Sequence, residues 1–550
     1  VSINCKRILY KIFGILLTKT HHCKKHFLCE TFIMSVIITL VKSSIMEQVG
    51  MYMRKLLLIK NTVASLIAQM TAIVCGFILP RLFLEYYGSN VNGLINSITQ
   101  FLAFISFMEL GVGAVVQSSL YKPLANHDWQ QISMIAVSAN KFFRRLAQIF
   151  VVYVIGLCIF YPLLVNQNFD YLFTSTLIIA ISISLIAQYY FGIVNGLILT
   201  ADQRGYIQYN TQTITILLNT VVSTILIING STVQFVKLVT SFIFLARPFI
   251  LQYYVKKNYE INWAITYDKE PIRQKWNGVA QHIAAIILDS TDIAVLTIFS
   301  TLANVSIYSI YFLIVKGVKT LFLSITNGIQ SLIGELWARQ DISKLQAVFS
   351  WTEWCIHTGT IFFFSCTAVL IVPFVQVYTS GIHDADYTQP LFAFLLVWAN
   401  AMHCLRLPYN IMVLAAGHYR QTQGNYIIVA SLNIIISIIT VNFWGLIGVA
   451  IGTLIAMTYQ TIWLAWYDSH HFIHYPLKNV MKQFFVDGIT AAAVVCICQF
   501  MTLDKLSYGY WVLMALKTAA ITGVIMLIVN FLFYREKVQK LFSKLTMRFQ

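Results

Sequence analysis

The chain has 550 residues, 58% of them apolar and 11% charged, with a mean hydropathy of +0.72. Soluble domains run nearer roughly 45–50% apolar and about 25% charged, so the composition argues against a soluble enzyme, a disordered tail or a fibre, and the strand alternation of an outer-membrane barrel is missing. Formal net charge is +17, from 38 Lys and Arg against 21 Asp and Glu. In a chain this apolar, that excess is first explained by Lys and Arg collecting in cytoplasmic loops, without a nucleic-acid partner.

In chain order, residues 5–26 are basic and His-rich, and the apolar run Thr31 to Val41 is too short to span a bilayer. His21, His22, Cys23, His26 and Cys29 match no standard zinc spacing. Met51 or Met53 reads as the natural start, since M-R-K-L-L-L-I-K from Met53 is an ordinary basic entry to a first span. Residues 1–52 are therefore expected to be an extension that is not natively translated.

Uncharged runs then recur at helical length, and fourteen spans are expected. Six lie near 62–85, 92–120, 143–165, 172–199, 208–229 and 231–252. Six more lie near 278–300, 304–333, 352–378, 389–414, 425–443 and 446–467, and two follow near 484–501 and 510–533. Alternate connections carry Lys122, Lys141, Arg144, Arg145, Arg204, Lys256, Lys257, Arg273, Arg339, Lys344, Arg420, Lys478 and the tail from Arg535. The other set carries Asn166, Asp170, Asn229, Asp384, Asp386 and one cation, Lys505. The first set and both termini are thus expected on the cytoplasmic side of the membrane.

Local matches recur at one offset of about 215 residues, which marks a duplication of six spans. Asn90-Val91 returns as Asn304-Val305, Leu120-Tyr121 as Leu336-Trp337, and Leu199-Thr200-Ala201 as Leu414-Ala415-Ala416. An even number of spans gives parallel repeats, a transporter arrangement with its site between the halves. The expected organisation is all-α: 53–255 and 256–470 as two six-helix lobes, 471–534 as two added spans, and 535–550 as a basic tail.

No G-x-x-x-x-G-K-[ST], H-E-x-x-H or G-x-S-x-G occurs, so neither an ATPase nor a hydrolase is supported, and no cofactor or metal is called for. Asp384-Ala385-Asp386 reads as part of a short outer loop. The informative residues are charges inside spans, which usually face water or a partner. Lys316 and Lys319, at mid-depth of span eight, share a helix face. Arg81, Arg247 and Arg406 are further cations, and Glu109, Asp289 and Asp292 are acids that would neutralise them or hold a coupling ion.

The stretch Pro80-Arg81-Leu82, Tyr87-Gly88-Ser89 and Asn92-Gly93-Leu94-Ile95-Asn96-Ser97 resembles the start of bacterial polysaccharide flippases. So do Glu109-Leu110-Gly111-Val112-Gly113, Leu120-Tyr121-Lys122-Pro123 and Asp289-Ser290-Thr291-Asp292 with Tyr308 and Tyr311. The family is the polysaccharide (Wzx-type) branch of the multidrug/oligosaccharidyl-lipid/polysaccharide exporter superfamily, and the resemblance runs from about residue 53 to 535. It implies two six-helix lobes around a cavity, and movement of an undecaprenyl-diphosphate-linked oligosaccharide between leaflets for O-antigen, capsule or exopolysaccharide synthesis. It also implies cationic cavity residues, here Arg81, Lys316 and Lys319 with Arg247 and Arg406 behind them. Its partners would be membrane lipid, H+ or Na+, and other polysaccharide-assembly proteins. The alternatives are a cation-coupled multidrug exporter or a peptidoglycan-precursor flippase of the same superfamily and, from another class, a membrane-embedded glycosyltransferase.

Overall fold

The structure is a computed structural model that describes the backbone of residues 26–165, 169–272, 279–472 and 476–549. Side chains are described there except at 26–55, 106–111, 114, 279–286, 288–289, 327–328, 331 and 544–549. The chain separates into a short unit, Val1–Ser65, which holds the beginning of the first helix, and a body, Leu66–Gln550. All that follows concerns the body. The N-terminal His and Cys residues and the tail beyond 543 lie outside the described side chains.

Among the described residues all regular structure is helical. Apolar side chains all round a segment leave its backbone to bond within itself in lipid, and the helix does this residue by residue. The first seven helices are α1 (His26–Ala103), α2 (Ser106–Ala125), α3 (Trp129–Leu164), α4 (Tyr171–Ala187), α5 (Ile193–Ala201), α6 (Tyr206–Ile228) and α7 (Val233–Asn258). The next seven are α8 (Val279–Phe299), α9 (Leu302–Ala338), α10 (Ile342–Tyr378), α11 (Pro390–Leu405), α12 (Leu407–Ala416), α13 (Tyr419–Trp444) and α14 (Leu446–His471). α15 (Leu477–Cys498) and α16 (Tyr508–Phe549) complete the chain. Twelve helices among the described residues are long and apolar enough to cross a bilayer, making this a multi-pass membrane protein. Expected span two is the end of α1, beyond a break at Gly88 (φ 82°), plus α2, and expected span seven is α8. A π-helical turn, Gln188–Gly192, joins α4 to α5.

Similar local devices recur in the two halves. His127 and Gln340 take positive φ (54° and 58°), and the next residues, Asp128 and Asp341, cap α3 and α10 by accepting the amides of Gln131 and Lys344. Gly230 and Gly445 both turn the chain at positive φ (74° and 53°) before the sixth helix of each half. One continuous apolar cluster fills α1–α7, from Phe83 to Tyr259 with Ile272 and Leu302. Two others, around Tyr311 and Phe392 and around Phe349 and Tyr409, fill α8–α15. These two sets are termed the first and second helix groups.

Close backbone approach fixes the α13–α14 pair. A Cβ on Gly448 would lie 2.3 Å from the Thr440 carbonyl oxygen, and one on Gly452 2.2 Å from Ser437 Oγ. Such small residues four apart are how helices pack when lipid supplies no hydrophobic drive. α15 and α16 fasten to α10: His357 Nδ1 lies 2.6 Å from Asp487 Oδ2, Trp354 Nε1 donates to Asn530 Oδ1 (2.8 Å), and Lys537 Nζ donates to the Ser350 carbonyl (2.8 Å).

Candidate functional site

The loops bearing Arg204, Arg339 and Arg420 lie at one end of the helices, here the basic end, and the turns at Gly88, Gly230, 379–389 and Gly445 at the opposite end. Side-chain bonds between the helix groups cluster at that opposite end, and α2 also packs along α8. Gly93 of α1 lies against the backbone of Leu302, where a Cβ would sit 1.8 Å from the carbonyl oxygen. Asn92 Nδ2 donates to Ser306 Oγ (2.7 Å), Ser97 Oγ bonds Thr297 Oγ1 (2.6 Å), and Tyr378 Oη donates to the Phe77 carbonyl (2.6 Å). Asp384, from the loop before α11, accepts both the amide and the hydroxyl of Ser89 at 2.6 Å. Ser89 follows the Gly88 break, so a carboxylate of the second group caps a helix N-terminus of the first, where negative charge is favoured. Tyr387 Oη adds bonds to Ser89 (2.7 Å) and Ser306 (3.0 Å). Burial of the Tyr387 phenol raises its pKa above the ordinary value, so its hydroxyl keeps its proton and can donate.

Arg81 belongs to this seal and to a cavity beside it. Its Nη2 donates to the Ser380 carbonyl (2.8 Å) and its Nε lies 3.8 Å from Glu85, while Nη1 is buried with no protein acceptor. The cavity, about 780 Å3, lies between α1, α9, α10 and the start of α16 and is walled by Phe77, Ile78, Ile314, Leu370, Phe374 and Trp511. Its wall is almost wholly apolar apart from Arg81.

Lys316 and Lys319 have different surroundings despite their spacing. Lys316 is exposed, and with half-buried Thr320 and exposed Ser324 it forms a polar stripe at intervals of four along α9. Lys319 is buried, within electrostatic reach of His403. Arg406 joins it there, buried, with Nη2 3.0 Å from His403 Nδ1. Arg247 stands apart in the first group: Nε donates to Thr215 Oγ1 (2.5 Å), the guanidinium lies 4.2 Å from the Phe244 ring, and it borders a 310 Å3 cavity with Gln188, Gln208 and Gln212. Lys237 lies 4.3 Å over the Phe83 ring.

Asp292 is buried and accepts from Tyr308 Oη (2.7 Å) and Thr453 Oγ1 (2.8 Å), and Asn433 Nδ2 bonds the same threonine (3.0 Å). Glu109 and Asp289 lie outside the described side chains. Of the five cations, then, Lys319 and Arg406 come together around His403, Arg81 guards the apolar cavity, and Lys316 faces open space.

A second polar cluster went unread in the sequence. Glu353 Oε1 accepts from Tyr409 Oη (2.7 Å), and Asp487 accepts from Gln483 (3.0 Å) beside His357. Asp468 lies buried nearby, within the field of Glu353. The available signal was an acid inside an apolar run in spans nine, twelve and thirteen. No group of three or more potential metal ligands occurs among the described residues.

No protein-family model matches the chain. No curated protein sequence matches it. Solved structures do match in shape. The lipid II flippase MurJ in an inward closed conformation superposes at a TM-score of 0.64 and 15% identity, over 87% of this chain and all of that one. An inward-facing multidrug resistance MATE family transporter of the MOP superfamily gives 0.57 and 14%, over 74% and 98%. The MATE multidrug transporter DinF-BH gives 0.55 and 12%, over 75% and 95%. This chain therefore has the fold shared by those flippase and multidrug-transporter structures.

Proposed function

We propose that the chain is a flippase that carries an undecaprenyl-diphosphate-linked oligosaccharide from the inner to the outer leaflet of the bacterial cytoplasmic membrane, with both termini in the cytoplasm. The observation that carries this reading is Arg81: a guanidinium with a free donor set into the wall of an otherwise apolar cavity of about 780 Å3. That combination suits a long hydrocarbon chain joined to an anionic head. A planar fork of donors suits phosphate, and a lipid whose diphosphate had to cross bare would face a barrier of many kcal/mol, since ideal burial of one ion is of order 20 kcal/mol. The fold is shared with a lipid II flippase, and the polar stripe Lys316, Thr320 and Ser324, with its one cation, would offer the head a polar track along one helix.

In this reading the basic end is cytoplasmic and the opposite end is the one held closed, so the lipid would load from the cytoplasm. The sugars and diphosphate follow the polar stripe while the prenyl chain stays in apolar surroundings. The helix groups then rock, the Ser89–Asp384 contacts part, and the head leaves outward. A coupling H+ or Na+ would be held by the acids Glu109, Asp289 or Asp292.

The test is complementation of a strain lacking its own flippase, scored by surface polysaccharide. Lys316→Gln and Arg81→Gln, made separately and together, are expected to insert normally yet abolish polymer. Wild-type polymer from the double variant would defeat the assignment.

A further inference from the structure

A second cavity, about 380 Å3, opens at the basic end of the first helix group, and none of Arg81, Lys316, Lys319, Arg247 and Arg406 lines it. It is polar where the first cavity is apolar. Its wall takes Asn140 and Arg144 from α3, the π-helical turn with Tyr190, and Asn195 from α5. Gln252 and Lys256 of α7 and Trp263 of the following loop complete it. The π-helical turn is an i to i+5 irregularity of the kind found at functional sites, and here it sets Tyr190 beside Arg144.

The loop after α7 roofs the site. The Asn262 amide donates to Ser133 Oγ (3.0 Å), Ser138 Oγ donates to Glu270, and Lys141 Nζ lies 4.7 Å over the Tyr267 ring. The Arg144 guanidinium is 4.9 Å from the Tyr190 ring centre. Among the described residues neither Arg144 nor Lys256 has a carboxylate at ion-pair distance, and Asp202, behind the cavity wall, is already taken by Tyr259 (2.5 Å) and Arg204 (3.1 Å). Asn195 is buried, gives its amide to the Phe191 carbonyl (2.8 Å) and keeps an Oδ1 with no donor in the protein.

We propose that this cavity binds a hydroxylated phosphate ester. Arg144 and Lys256 hold the phosphate by charge-assisted bonds, and the Asn140, Asn195 and Gln252 amides take hydroxyl groups. The Trp263 and Tyr190 faces cover the apolar side of the ligand. The site lies where α3 and α7 leave the membrane, within reach of a lipid headgroup such as phosphoglycerol and of a soluble polyol phosphate. All its lining residues belong to the first helix group and the loop after α7, so its ligand would act on that group.

The experiment uses the purified full-length chain, delipidated in detergent. Binding of phosphatidylglycerol and phosphatidylcholine is followed by native mass spectrometry, and binding of glycerol 3-phosphate by the fluorescence change lost in Trp263→Phe. Retention of phosphatidylglycerol over phosphatidylcholine, or saturable binding of glycerol 3-phosphate, supports the proposal and identifies the source. Arg144→Gln with Lys256→Gln should weaken that binding at least about tenfold, while the neighbouring pair Arg145→Gln with Lys257→Gln should leave it unchanged. Equal loss in both pairs, or no loss in either, overturns the proposal. Trp263→Phe, which keeps every charge and is followed by native mass spectrometry because it lacks the fluorescent reporter, should weaken binding less than the double charge change, and equal affinity in folded wild type and all variants also refutes it. None of these readouts depends on flipping, so failure here leaves the transport reading standing.

Discussion

Replacing Gly93 by alanine probes the seal between the helix groups most directly. The added Cβ would fall 1.8 Å from the Leu302 carbonyl oxygen and 2.7 Å from its carbon. Both are backbone atoms, so no rotamer relieves the overlap. α1 and α9 must separate by about 1.5–2 Å to reach an ordinary contact of ~3.5 Å. Overpacking of this kind costs about 1–3 kcal/mol. Because the strain exists only while the opposite end is closed, it shifts the closed-to-open equilibrium about 5- to 150-fold. Hydrogen–deuterium exchange of the purified protein reads this without labels. Peptides spanning 86–98 and 300–311 should exchange faster by that order, while α6 and α13 keep wild-type rates. Unchanged exchange at 86–98 in a folded variant would refute the reasoning, and so would a uniform rise over the whole chain.

Asp384→Asn keeps the shape of the cap but removes its charge, and should cost about 1–2 kcal/mol, seen as faster exchange confined to 86–92 and the loop before α11. Gly452→Ala drives a Cβ to 2.2 Å from Ser437 Oγ and 2.8 Å from the Ser437 nitrogen, so thermal unfolding should move down by the equivalent of about 1–3 kcal/mol. Asp487→Asn breaks the buried contact with His357 and should cost about 3 kcal/mol or more. In the paired change His357→Phe with Asp487→Leu, the total loss should be smaller than the sum of the single losses, measured by a double-mutant cycle in detergent.

The helices were legible because lipid enforces them: an apolar stretch of spanning length has few backbone solutions. Their order followed, with twelve of the described helices long and apolar enough to span against fourteen expected. Span two was harder, since Gly88 and the break at Phe104–Ile105 divide what reads as one apolar run into two helical pieces. Among candidate residues, an intramembrane cation announces itself by its cost, and Arg81 was singled out that way. The sequence could not separate Lys316 from Lys319. Three residues put them on neighbouring sides of α9, and only the packing of α11 and α12 decides which one is buried. The Asp384–Ser89 contact was illegible for another reason. A surface-loop aspartate looks like any other until the fold brings a helix N-terminus from nearly three hundred residues earlier against it. Glu353, His357 and Asp487 were legible in principle, as charges or imidazole in apolar runs, but nothing in their spacing pairs α10 with α15.

The large apolar cavity has walls of mixed ownership. Phe77 and Ile78 ride on the first helix group, whereas Ile314, Phe374 and Trp511 ride on the second and on the terminal helix pinned to it by Trp354–Asn530 and Lys537–Ser350. Any relative rotation of the two helix groups that parts the Ser89–Asp384 end must therefore shear this chamber as well. A hydrocarbon tail lodged there would lose its berth in the same stroke that frees the polar head, so both ends of an amphiphile would be let go together.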